Sequence, residues 1–157
     1  MERDFVEMLS ALNAAGAEYL VVGAHALAAH GVPRATGDLD IWVRATPVNA
    51  GRVLDALREF GAPLFDLAPE DLTTPETVFQ IGVAPVRIDL LTSISGVAFE
   101  EAWPGRIEAS IDGVPFGVLG RDEAGEGGDV VVVAGAVLVA TRLLRLAGGA
   151  GLARHSV

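Results

Sequence analysis

The chain of 157 residues is about half apolar and carries a net charge of −10, with 21 acidic residues against eleven basic ones. All eleven are arginines, and the chain has neither lysine nor cysteine, which excludes disulfides, thiolate zinc sites, a cysteine nucleophile and a phosphate loop ending in Gly-Lys-Ser/Thr. Any metal must therefore sit on oxygen or histidine, and without a basic stretch no stable non-specific nucleic-acid binding is expected.

Length and apolar content suit one domain with a core of its own. No apolar run reaches the roughly 18 residues of a membrane-spanning helix, the longest being Val130 to Ala140. The acidic, amphipathic start Met1-Glu2-Arg3-Asp4 does not read as a secretion signal. The expectation is a cytoplasmic protein with no membrane contact.

In chain order, Glu2 to Ala15 places Phe5, Met8, Leu9 and Leu12 at helical spacing and ends at Gly16. Tyr19 to Val22 reads as a short buried strand, Ala24 to His30 as a helix closed by Gly31 and Pro33, and Asp38 to Arg44 as a second strand. Pro47 to Phe60 predicts a helix with proline in its first turn and Val48, Val53, Leu54, Leu57 and Phe60 facing inward. A loop with Pro63, Pro69 and Pro75 follows, in which Asp66, Glu70 and Asp71 read as solvated. Val78 to Gly82 and Val86 to Leu91 then read as paired strands, and Phe99 to Trp103 as one or two helical turns. Arg106 to Ile111 and Val114 to Val118 flank Asp112-Gly113, a strong hairpin signal.

This mixture predicts an α+β fold, a small mixed sheet with helices packed mainly on one face. Composition changes after Asp122. Residues 123–157 hold seven of the nineteen glycines, no aromatic residue, and three acids balanced by three arginines. Residues 1–122 are read as the domain and 123–157 as an atypical Gly/Val/Ala-rich tail packed on it. Within the tail Val130 to Val133 favours a strand, and Val137 to Leu146 a strand or a helix.

The chemistry-bearing pattern is Thr36-Gly37-Asp38-Leu39-Asp40-Ile41-Trp42-Val43, followed later by Val86-Arg87-Ile88-Asp89-Leu90-Leu91. Side chains alternate along a strand, so Asp38 and Asp40 are expected on one face and Leu39, Ile41 and Val43 on the other. Adjacent carboxylates repel, and a divalent cation removes that repulsion. Simpler readings stay open. The two acids could be solvated at a strand start or cap a helix, Asp89 could pair with Arg87, Gly23 could be an ordinary turn glycine, and Arg34 a surface arginine.

The order strand, Gly23, short helix, Arg34-Ala35-Thr36-Gly37-Asp38-Leu39-Asp40 and a later strand with Asp89 resembles the nucleotidyltransferase superfamily, in particular small bacterial minimal and abortive-infection-type members. Their pattern is a glycine and a small residue, a spacer, then acid, hydrophobic, acid; here thirteen residues separate Ala24 from Asp38. The resemblance covers Tyr19 to about Gly120. It implies a nucleotidyltransferase-like fold in which Asp38, Asp40 and Asp89 are catalytic and hold two Mg2+ ions, with Mn2+ as a substitute. Asp89 would bind only the ion that activates the acceptor hydroxyl, or take its proton. Gly23, Ala24, His25, Arg34 and Thr36 would contact the triphosphate. The implied partners are a nucleoside triphosphate, a hydroxyl acceptor on protein or RNA, and a cognate toxin or antitoxin.

The chain departs from that pattern twice. Ala24-His25 stands where many members carry serine or a second glycine, so His25 or the backbone would replace a hydroxyl donor. Nothing after Asp122 matches the family's lysine-bearing helix. The alternative is therefore a nucleotidyltransferase-fold binding module without turnover, in a toxin–antitoxin or phage-defence pair. A protein whose acids are merely exposed is the third reading.

Overall fold

The computed structural model describes residues 3–23, 38–64, 67–83, 86–94, 96–120 and 142–145, with only the backbone of Asp38, Val83, Val86 and 142–145. The expected helix from Ala24 to His30, and Asp66 of the loop, lie outside the described residues.

Helix α1 (Arg3–Ala14) buries Phe5, Met8, Leu9 and Leu12, the apolar stripe expected of it, and the chain turns away at Gly16 with φ +71°. Strand β1 (Tyr19–Val22) is buried throughout. Strand β2 (Asp38–Val43) leads into helix α2 (Pro47–Phe60). That helix is capped at both ends: the Asn49 N–H donates to Thr46 Oγ1 at 3.3 Å, Pro47 occupies the first turn, and Gly61 closes the helix at φ 90°. A 3₁₀ turn (Pro69–Leu72) precedes strands β3 (Thr77–Val83) and β4 (Val86–Leu91). A single helical turn, α3 (Phe99–Ala102), runs into a 3₁₀ turn at Trp103–Gly105. Strands β5 (Ile107–Ile111) and β6 (Val114–Val118) form the expected hairpin, with Asp112 at φ 50° and Gly113 at φ 80°. Positive φ at both central residues matches the right-handed twist of the two strands.

The described strands form one mixed sheet in the order β5-β6-β1-β2-β4-β3-β7, where β7 is Arg142–Arg145. β1 and β2 are antiparallel, as are β3 and β4, whereas β2 runs parallel to β4, β1 to β6 and β3 to β7. The fold is α+β with its helices mainly on one face. Leu39, Ile41, Val43, Ile81, Ile88 and Leu90 pack beneath α1 and α2 in the larger core. On the other face Leu20, Val22, Trp42, Val78 and Leu91 form a smaller cluster covered by Phe99 and Ala102.

Two expectations about polarity are corrected. Val48 does not face inward but is 68% exposed, and Asn49 takes the buried position next to it. The reason is local hydrogen bonding: Asn49 Oδ1 accepts the Glu18 N–H at 2.7 Å, while Nδ2 donates to the carbonyls of Glu18 at 2.9 Å and Arg44 at 2.8 Å. One amide thus ties α2 to the chain entering β1 and leaving β2. Asp71 is likewise buried rather than solvated, because its carboxylate accepts the Ala68 N–H at 2.9 Å and closes the 3₁₀ turn.

Replacing Asn49 by Ala removes these contacts from three part-buried backbone groups and is expected to cost about 1–3 kcal/mol in urea unfolding, while Val48→Ser stays within about 0.5 kcal/mol. A second expectation concerns Tyr19, the chain's single tyrosine. Its hydroxyl donates to Asn13 Oδ1 at 2.9 Å, and burial pushes its pKa well above the usual phenol range, with the charge of Glu108 adding to the effect. The unfolded chain ionises this group near pH 10 and the folded one only higher. The unfolded state therefore loses the proton first, and stability falls as pH rises above about 10. Tyrosinate absorbance should appear together with unfolding rather than before it, and Tyr19→Phe should remove this alkaline slope.

Candidate functional site

The site is set by the pairing of β2 with β4. Their parallel register places Asp40 opposite Asp89 and Asp38 opposite Arg87. Register neighbours in a sheet lie about 4.8 Å apart and share a face. Because Leu39 and Ile41 enter the larger core with Ile88 and Leu90, Asp40 and Asp89 face the other side, away from α1 and α2. The antiparallel register of β3 with β4 continues this row by putting Gln80 opposite Asp89, and β1 ends it on the other side with Val22 opposite Asp40.

Gly23 closes the row from above. It follows β1 directly, has φ +74°, and a Cβ on it would stand 2.3 Å from Asp40 Oδ2. The absence of a side chain at Gly23 is thus what lets the chain pass over the Asp40 carboxylate. Asp40 is half-buried and Asp89 fully buried. Arg87, 28% exposed, reaches along β4 so that its Nε lies 3.1 Å from Asp89 Oδ1. The two atoms satisfy an ion-pair distance but not the alignment of a hydrogen bond. The contact is one of charge, which depends on separation more than on angle.

Two residues beyond Asp40, Trp42 is buried and meets Phe99 edge-on at 5.1 Å. A cleft of about 180 Å³ beside it is also lined by Thr46, Thr92, Ser93 and Glu100. Arg44 pins the covering turn. Its guanidinium pairs with Glu18 at 2.9 Å and Glu100 at 3.1 Å and lies 4.8 Å from the centre of the Phe99 ring. With Glu100 64% exposed, its ion pair contributes less than about 1 kcal/mol, and the guanidinium over the Phe99 ring adds a cation–π contact to it.

Of the residues singled out in the sequence, the structure brings Gly23, Asp40 and Asp89 together. Asp38 is located by its backbone at the start of the same strand, whereas Ala24, His25, Arg34 and Thr36 lie outside the described residues. Among the described residues no three His, Cys, Asp or Glu side chains gather as a metal-binding group. The two described carboxylates nevertheless fit a hard cation, since their donors are all oxygen. Gln80 and Arg87 carry no motif. Only the register reveals Gln80, although a lone amide between Phe79 and Ile81 was a usable hint.

Neither a protein-family model, nor a curated protein, nor a solved structure matches the chain. The reading of the site therefore rests on its own residues.

Gly23→Ala combines a strained φ with contact against Asp40, whereas Gly16→Ala meets a similar φ, +71°, in open space. The first should therefore lower the melting midpoint clearly more than the second, whose cost is about 1 kcal/mol. Equal shifts in thermal unfolding would show that Gly23 serves only its own turn.

Proposed function

We propose that the chain is a nucleotidyltransferase-like protein that transfers a nucleoside monophosphate from a nucleoside triphosphate to a hydroxyl of a protein or RNA acceptor. The observation that supports this most is the register pairing of Asp40 with Asp89 on one sheet face, with the Gly23 backbone laid against the Asp40 carboxylate. In this reading Asp38, Asp40 and Asp89 hold two divalent cations, Mg2+ or Mn2+. Bound there, the cations supply charge neutralisation on the phosphates and a more acidic acceptor hydroxyl.

The chain's own residues contribute position. β2 and β4 are central strands, so the carboxylates stand on rigid backbone rather than on loops. Gly23, lacking a side chain, lets its backbone lie against the Asp40 carboxylate, and the triphosphate is proposed to approach that turn. Full burial of Asp89 keeps water from competing for its oxygens. Ala24, His25, Arg34 and Thr36 are proposed as the phosphate contacts. The net charge of −10 favours a protein or small-molecule acceptor over an unassisted hold on RNA.

A second reading is a binding module without turnover, whose partner is a cognate toxin or antitoxin. The Arg87–Asp89 ion pair favours it, because an arginine already neutralises the third carboxylate. Calorimetric titration of the four nucleoside triphosphates with and without Mg2+, followed by transfer of α-labelled triphosphate, separates the two. The first reading expects Mg2+-dependent binding that Asp40→Asn weakens at least about tenfold, together with label in an acceptor. Binding without transfer, or no binding of any triphosphate by wild type, removes the first reading and favours the module.

A further inference from the structure

We propose that Arg87 is a built-in competitor for a divalent cation at Asp89, and so sets the cation affinity of the site. This rests on the reading of Asp40 and Asp89 as cation ligands. Arg87 and Asp89 are two apart on β4 and share a face, so the guanidinium lies along the strand and meets the carboxylate at 3.1 Å. The Cα of Arg87 is level with Asp38 and that of Asp89 with Asp40, so the arginine spans the stretch of sheet that carries all three aspartates. Asp89 is 0% exposed, and a carboxylate ionised at that depth needs a counter-ion. Arginine suits that duty, being always ionised and weakly hydrated. A cation approaching Asp89 Oδ1 meets a positive group already beside that oxygen. The 28% exposure of the Arg87 side chain gives it a route outward, which a fully enclosed pair would lack.

Mn2+ uptake, followed through the spectrum of the free ion, tests this on wild type, Arg87→Gln, Arg87→Lys, Asp89→Asn and the Arg87→Gln/Asp89→Asn double variant. Glutamine keeps a hydrogen-bond donor near Asp89 but removes the charge, and affinity should rise about tenfold, the scale of one charged neighbour on a carboxylate. Lysine keeps the charge and should stay within about threefold of wild type. In the Asp89→Asn background the gain from Arg87→Gln should shrink below about threefold. A gain of the same size in that background, or none in Arg87→Gln, overturns the role of Arg87.

A measurement on wild type covers the case in which Arg87→Gln does not fold. The Arg87 Nε–Hε resonance, identified by its absence in Arg87→Lys, should shift and exchange faster with water as Mg2+ is added; an unmoved resonance at saturating Mg2+ overturns the proposal. If neither wild type nor Arg87→Gln shows Mn2+ uptake that Asp40→Asn removes, the cation site itself fails and this inference with it. Uptake that Asp40→Asn removes but Arg87→Gln leaves unchanged sinks the role of Arg87 alone.

Discussion

The parallel pairing of β2 with β4 is the constraint from which the candidate site follows. Parallel neighbours cannot be joined by a tight turn, so the chain leaves β2, crosses beneath the sheet through α2, and returns by way of β3 before β4 is laid down. That crossover places α2 on one face and leaves the other for the aspartates and the smaller apolar cluster. A slip of one residue in the register would send Asp89 into the core under α1 and α2 and bring Leu90 to the open face. Core packing and site geometry are thus linked: the register that carries Ile88 and Leu90 into the larger core also sets Asp89 beside Asp40.

The second face is arranged around the consequences of burying charge. Asp89 is buried fully and carries an arginine at 3.1 Å, and Asp40 is half-buried beneath a glycine that could not be anything larger without displacing it. Beyond this polar patch the face becomes aromatic. Trp42, Phe99 and Trp103 follow one another, with Phe99 and Trp103 stacked at 5.4 Å and Arg106 lying 3.9 Å from the centre of the Trp103 ring. Arginine serves throughout as counter-ion and as stacking partner, two uses of a planar cation that lysine would fill less well in a chain that has none.

Much of the fold was legible in the residues because it depends on local physics. Proline in the first turn of α2, glycine after α1, and Asp112-Gly113 between β5 and β6 all act through dihedral preference and nearby hydrogen bonds. The errors came where a polar side chain's own hydrogen bonds, rather than spacing, decided burial. Val48 looked like core by helical spacing, but Asn49 bonded to Glu18 and Arg44 turns α2 so that Val48 faces outward. Asp71 looked solvated, but its bond to Ala68 encloses it.

For the candidate site the division is the same. The sequence alone determined that no thiolate or lysine chemistry is present, that acid, hydrophobic, acid alternates along a strand, and that a glycine stands before it and an aspartate on a later strand. Composition and strand period carry that information without reference to any other element. Only the tertiary structure decided that Asp40 is level with Asp89, that Gln80 joins their row and that Gly23 lies on the Asp40 carboxylate. Each of these is a contact between elements, and register between strands is set by the packing of whole faces, which one strand's own residues do not specify.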